Sequence, residues 1–276
     1  MNYAPVEVSR IRTAWESVAS GRARGVAPRC FVVETTTSTQ DDVKAHLDAE
    51  AETTGGKQAG TPVLVVAAAQ TQARGTRGRV WDHDAQGDIG MSFSIEPDFD
   101  PRLLPMLIPV AIRLALVESM REQGADFEPD RLRAKWPNDL LVDGAKLAGI
   151  LIESHGTGRW IVGIGINVGR RTFPYELDAI ATSLMKATGI DFDRCSLLCN
   201  VIVWIGRLIQ RAATSPDAIL TLYESALDLV GREVDVRVRD RSHAGRLARI
   251  DLTHATFEDG RRFACGEIES LSCAKE

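Results

Sequence analysis

The signatures of the common nucleotide enzymes are missing from this 276-residue sequence. There is no GxxxxGK(S/T) phosphate loop, no GxSxG, no HExxH and no kinase motif set. Gly163 and Gly165 are followed by more strand pattern instead of a helix start, which excludes a dinucleotide-binding turn. The five histidines do not cluster, and the five cysteines, at 30, 195, 199, 265 and 273, form no CxxC pair. No zinc site is expected, and the cysteines read as reduced thiols. The N-terminus lacks the apolar core of a signal peptide, and no apolar run approaches the length of a membrane span. The cytoplasm is the default compartment, and no membrane partner is expected. Neither sign of charge dominates: the net charge is −5, which argues against nonspecific nucleic-acid binding.

What is there fits a globular chain. Hydrophobic residues make up 44% and charged residues 26%, enough to bury a core. Residues 7–20 have Val8, Ile11, Ala14, Trp15 and Val18 at helical spacing. The first strand is expected at Cys30–Glu34, so only about 30 residues precede it. That is too short for a helix-turn-helix module, and no DNA partner is expected. A helix follows TTTSTQ, with Ser38 or Thr39 as its cap. Residues 52–60 read as a solvated loop, 61–70 as a buried strand and 71–88 as one long Gly/Arg-rich loop. Ile89–Glu96 reads as a strand and Leu103–Gln123 as a helix. Leu132–Trp136, Leu140–Val142, Lys146–Glu153 and Trp160–Val168 are strands, with Asp143-Gly144 as a two-residue hairpin turn. Helices are expected near 176–187, 195–213 and 216–229. From Arg232 the pattern changes to short alternating strands. Two domains are therefore expected, 1–230 and a small all-β module at 231–276.

Three separated segments carry candidate chemistry. Hydroxyls clustered at the helix start 35–40 suit a small polar head group. In QTQARGTRGRVW, Gln70 to Trp81, glycines let backbone approach a ligand and arginines supply permanent donors for phosphate or carboxylate oxygens. Trp81 can stack on a ring or anchor a core. In KWPNDLLVDGAKLAGI, Lys135 to Ile150, Pro137 forces Trp136 out of the helical region. There, small residues at 148 and 149 leave room beside Lys146.

Taken in order, TSTQ at 37–40, the Gly/Arg loop, KWPND at 135–139, KLAGI at 146–150, GIGINV at 163–168 and GEI at 266–268 resemble the biotin protein ligases. The likeness runs from about residue 30 to 271, and KWPND followed by KLAGI is its most specific part. It implies an α/β (α+β) fold: a mixed β-sheet catalytic domain with helices on one side, then a small SH3-like β-barrel. It implies a stand-alone ligase that uses ATP and Mg²⁺ to convert biotin to biotinyl-5′-AMP. The acyl group then passes to a lysine of a biotin carboxyl carrier domain of acyl-CoA carboxylases. The resemblance assigns Ser38, Thr39, Gln40, Gln70, Arg74, Gly75, Thr76, Lys146 and Gly149 to biotin. It assigns Arg77, Arg79, Trp81, Asn138 and Asn167 to the nucleotide. Lys146, Asp139 and Arg74 are the expected catalytic residues, with Lys146 at the carboxylate and acyl phosphate and Asp139 a candidate to deprotonate the acceptor lysine. Asn138 and Asp139 could also position metal or phosphate. No dedicated metal ligands are expected, and either a monomer or a homodimer is compatible.

The chain also departs from the family pattern. Where the family loop reads GRGRxGR, this chain has Ala73 and Thr76 for the first glycine and second arginine. A looser hold on the adenylate is expected. After GEI an expected arginine is absent, and Arg77, Arg79 or Arg241 are its possible substitutes. The alternatives are a lipoate or octanoate ligase of the same superfamily, or a non-catalytic biotin sensor.

Overall fold

The computed structural model describes residues 3–19, 28–54, 61–85 and 87–274. Residue 20 of the first expected helix and residues 55–60 of the expected solvated loop lie outside them. The larger sheet has seven strands: β1 (Arg29–Thr36), β2 (Val63–Gln70), β3 (Asp88–Ile95), β4 (Leu132–Lys135), β5 (Asp139–Val142), β6 (Ala145–His155) and β7 (Arg159–Asn167). Their order is β1-β2-β3-β7-β6-β5-β4. Only β1 and β2 are parallel, and the crossover between them is helix α2 (Thr39–Thr54). All other neighbours in this sheet are antiparallel.

The strand period of two gives the sheet two faces. On β3, Ile89, Met91, Phe93 and Ile95 enter the main core, while Gly90, Ser92 and Ser94 face the other way. The main core is closed by α1 (Pro5–Ala19), α3 (Leu104–Glu122) and α6 (Arg194–Thr214), which form the helical layer expected on one side. On the opposite face, Val43 and Leu47 of α2 pack on Val63, Val65 and Ile161 in a smaller cluster. This second face carries the cleft described below.

The segments Pro101–Glu122 and Arg194–Thr214 correct one sequence expectation, since both are long and apolar enough to cross a membrane. Their most apolar stretches are 78% and 56% buried inside the protein, as the two helices pack on each other and on the sheet. Core burial accounts for that composition. The helix expected at 176–187 is two short pieces, α4 (Tyr175–Asp178) and α5 (Leu184–Thr188). Between them the backbone bonds to β6 instead: the Lys146 N–H donates to Ile180 O at 2.8 Å, and the Thr182 N–H donates to Lys146 O at 2.9 Å. Ser183 then caps a new helix by accepting from the Lys186 N–H. The β5–β6 turn is the expected hairpin, with positive φ at Asp143 (50°) and Gly144 (83°).

After α7 (Pro216–Leu227), strands β8 (Glu233–Val238), β9 (Arg241–Ile250), β10 (His254–Phe257), β11 (Arg262–Ala264) and β12 (Ile268–Cys273) form an antiparallel sheet ordered β11-β10-β9-β8-β12. Strand β9 begins directly at Arg241. Arg239 and Asp240 form the preceding hairpin turn with φ of 47° and 63°. The two sheets share one apolar cluster, which includes Tyr223 of α7. The Trp136 indole N–H donates to Ile268 O at 3.2 Å, tying the end of β4 to β12.

Candidate active site

The floor of the cleft is made of glycine. Gly90, Gly165 and Gly149 stand in register across β3, β7 and β6, and Asp139 of β5 continues the row. Gly163 lies in the next row, opposite Ser92. With no side chains there, the face sinks into a trough, and the cleft above it, open to solvent, spans about 470 Å³. Trp81 lies on the trough. A Cβ at Gly165 would stand 2.5 Å from the indole, and one at Gly149 2.8 Å from it. The indole N–H is buried without a hydrogen-bond partner.

One end of the cleft is polar and dry. Ser38, Thr39 and Gln40 open α2 and are 1%, 3% and 3% exposed, so these hydroxyls are not a solvated cap. The Thr39 N–H and hydroxyl both donate to Gln70 Oε1, at 2.9 and 3.1 Å. Thr39 Oγ1 also lies 2.8 Å from Ser92 Oγ. This fixes the Gln70 amide, and its nitrogen lies over Gly90. Gln40 Nε2 donates to Glu153 Oε2 at 3.1 Å and to Ile161 O at 3.3 Å, which leaves Gln40 Oε1 buried and unpartnered over Gly163.

The other walls carry two cations, each held by acids. Lys146 Nζ is 2.6 Å from Asp139 Oδ1 and 5.3 Å from the centre of the Trp81 ring. Arg74 lies 2.7 Å from Glu153 and 3.1 Å from Asp41. The Arg74 partners are about half exposed, so water screens these pairs and an anion can compete for the guanidinium. Asn138 is locked onto β6: its amide donates to Ile150 O at 2.6 Å, and the Ile150 N–H donates to Asn138 O at 2.9 Å. Among the described residues, no three acidic, His or Cys side chains gather to hold a metal ion.

The segment expected as a long loop is irregular apart from a tight turn at 74–80, and residue 86 lies outside the described residues. Arg74 and Val80 form an antiparallel bridge, and the turn is tightened by positive φ at Arg77 (58°) and Gly78 (72°). The Gly75 N–H donates to Arg79 O at 2.7 Å and the Trp81 N–H to Ala73 O at 2.8 Å. Gly75 and Thr76 therefore line the cleft, whereas Arg77 and Arg79 do not. The Arg79 side chain folds back on Thr76. Asn167 is also outside the lining. It is 3% exposed, and its amide donates to Thr182 O and Lys146 O, joining β7 to the strip that pairs with β6. Arg241 begins β9 and does not line the cleft.

Glu153 and Ser92 were not marked as site residues by sequence reasoning. A lone glutamate or serine on a strand resembles an ordinary solvated or spacer position. Their alternation with apolar neighbours places them on the cleft face, but only pairing across strands brings them to Gln40 and Thr39.

Beyond Trp81 the backbone is pinned by charge. Arg170 pairs with Asp88 at 2.8 Å and with Asp82 at 2.6 Å, and Ser183 donates to Arg170 O. Burial pushes the Asp88 carboxyl up to about 7, against the pull of the Asp84 N–H and of Arg170. Burial also lowers His83, whose Nε2 meets Ala68 O at 3.2 Å.

Residues 32–169 match the biotin/lipoate A/B protein ligase family. The chain is 32% identical over 239 residues to the bifunctional ligase/repressor BirA of Bacillus subtilis, covering 83% of this chain and 72% of that protein. It is 34% identical over 186 residues to the biotin–[acetyl-CoA-carboxylase] ligase of Mycobacterium tuberculosis, covering 67% and 66%. Against several curated relatives the chain spans about two thirds of their length. Its structure is similar to that of the Aquifex aeolicus biotin protein ligase solved with biotin and ATP, at a TM-score of 0.71 and 27% identity, over 89% of this chain and 99% of that one. The chain belongs to the biotin/lipoate A/B protein ligase family.

Proposed function

We propose that this chain is an ATP-dependent biotin protein ligase, acting in the cytoplasm on a lysine of a biotin carboxyl carrier domain. The observation that carries this reading is the cleft itself. It joins a dry, amide-rich end, suited to a neutral polar ring, to an end where Lys146 and Arg74 can receive anions. Ser38, Thr39, Gln40 and Gln70 hold the ureido ring of biotin. The glycine trough and Trp81 take the apolar body, with Gly75 and Thr76 at its side.

In the first step a carboxylate oxygen of biotin attacks the α-phosphorus of ATP. The bond to the bridging oxygen breaks, and pyrophosphate leaves. Lys146 leaves Asp139 to offset the negative charge where carboxylate and phosphate meet, and Arg74 leaves its carboxylates to do the same. In the second step the neutral amine of the acceptor lysine attacks the acyl carbon. The C–O bond to AMP breaks, and Asp139, now released, takes the proton from nitrogen. Mg²⁺ would arrive with the nucleotide and offset phosphate charge, with Asp139 the cleft carboxylate able to reach it. Asn138 positions Asp139 through its bonds to β6. Trp81 reaches from the biotin body toward the nucleotide end beside Lys146, Asn167 supports that end from behind the lining through its bonds to Lys146 and Thr182, and residues 231–276 act as a C-terminal domain.

The test is to incubate the protein with biotin, ATP, Mg²⁺ and an apo carrier domain, and to probe for streptavidin-reactive product. Labelling by the intact protein is expected. Lys146→Ala should reduce it by about 10²-fold or more. No labelling by the intact protein would refute the ligase reading. Pyrophosphate release with lipoate or octanoate, but not biotin, would reassign the substrate within the family.

A further inference from the structure

Glu153 sits on β6 and pairs with Arg74, but the ligase reading gives it no task toward the head of the cleft. Its carboxylate accepts the Gln40 side-chain N–H at 3.1 Å. A carboxylate can only accept, so it dictates which way the Gln40 amide faces. Ile161 O, a second pure acceptor, binds the same nitrogen at 3.3 Å. With both contacts on nitrogen, Gln40 Oε1 has nowhere to turn except the cleft. It is buried there, unpartnered, and 2.6 Å from where a Cβ at Gly163 would stand. A buried acceptor without a donor costs free energy until a ligand supplies one.

We propose that Glu153 is a positioning residue for substrate selection: it holds the Gln40 carbonyl toward the ligand, so that the head of the cleft demands an N–H donor. This rests on the ligase reading and deepens it. Gln70 is set the opposite way. Thr39 takes its oxygen, and its nitrogen faces the floor at Gly90. The two amides thus present one acceptor and one donor, matching the N–H and C=O of a cyclic urea. A dithiolane or an alkyl chain offers neither, and leaves Gln40 Oε1 unpaired. Glu153 also holds Arg74 at 2.7 Å, so one carboxylate sets both the head-group amide and the resting place of a cation used in the reaction.

The test uses biotin-dependent pyrophosphate release by the intact chain. Glu153→Ala should raise KM for biotin about tenfold, with KM for ATP and kcat changed less than about threefold. Glu153→Gln keeps an acceptor for the Gln40 N–H and should restore KM for biotin to within about threefold of the parent. In a Gln40→Ala background, Glu153→Ala should add nothing, because the amide it orients is gone. If the alanine variant does not fold, Glu153→Met, of similar length but without an acceptor, takes its place. An unchanged KM for biotin in Glu153→Ala, or an equal rise with and without Gln40, would overturn the proposal. No turnover of biotin by the parent would instead refute the ligase reading, so the two failures are distinguishable.

Discussion

At the scale of the residue, the chemistry turns on side chains that already have partners. Lys146 is bonded to Asp139, and Arg74 to Asp41 and Glu153, so a substrate must take each cation from a carboxylate. Thr76 differs from these. It lines the cleft where relatives of the resembled pattern carry arginine, and Arg79 folds onto it instead of reaching inward. We expect Thr76→Arg to slow biotinyl-adenylate dissociation by about tenfold, as one charge-assisted hydrogen bond would. A stopped-flow chase of the preformed adenylate measures this, and an unchanged rate would mean that Thr76 does not limit retention. Lys146 and Asp139 stand out in the sequence because KWPND and KLAGI are dense and closely spaced, and the two side chains meet at 2.6 Å in the cleft. Glu153 was not legible, since its role exists only once β6 lies beside α2. Arg77 and Arg79 lie outside the cleft lining because the positive φ at Arg77 turns the tip of the hairpin, which a run of Gly and Arg cannot reveal.

At the scale of the element, glycine in neighbouring strands makes the trough. The row Gly90–Gly165–Gly149 needs three strands in register, so a single added methyl should be felt. Gly165→Ala would place a Cβ 2.5 Å from the indole of Trp81 and force the ring to move. KM for biotin should rise about tenfold while the far-ultraviolet circular dichroism stays unchanged. Turn chemistry divides the legible elements from the others. Asp143-Gly144 announces its hairpin, whereas Arg239-Asp240 makes the same kind of turn with residues that rarely do so. The split of 176–187 into two helices was hidden because the Ile180 carbonyl and the Thr182 N–H bond to Lys146, a partner some thirty-five positions away in sequence. Asp88 gives this region a pH dependence. Its folded pKa, about 7, lies above the ordinary carboxylate value, so the folded state holds the proton more tightly than the unfolded chain. That contribution is full below about pH 4 and is lost as the pH rises through 7. Asp88→Asn should therefore lose less melting temperature than the parent between pH 5 and pH 8, by differential scanning calorimetry. Parallel slopes for the two proteins would show that Asp88 is not the group responsible.

At the scale of the whole molecule, two sheets share one apolar core, and the Trp136 side chain crosses between them by hydrogen bond. Trp136→Phe keeps most of the packing but strands Ile268 O, and should cost about 1–3 kcal/mol in urea unfolding. Hydrogen exchange should quicken first along β12. The same variant should leave KM for ATP within about twofold if β12 acts only as support. Much of this architecture was readable from the change in pattern after Gly231, from the apolar runs of β2 and β7 and from the alternation of β3. The placement of α2 on the opposite face was not, because a helix after a strand can pack on either side until its apolar stripe finds a matching one.

The indole lying on the glycine trough has a thermodynamic consequence. The indole already covers part of that surface before any acid binds, so the ligand releases less solvent than it would from a bare trough. Calorimetry should accordingly find biotin binding led by enthalpy from the polar head, with a heat-capacity change smaller than the buried ring area alone would give. A large negative heat-capacity change would mean that the trough fills from water and not from Trp81.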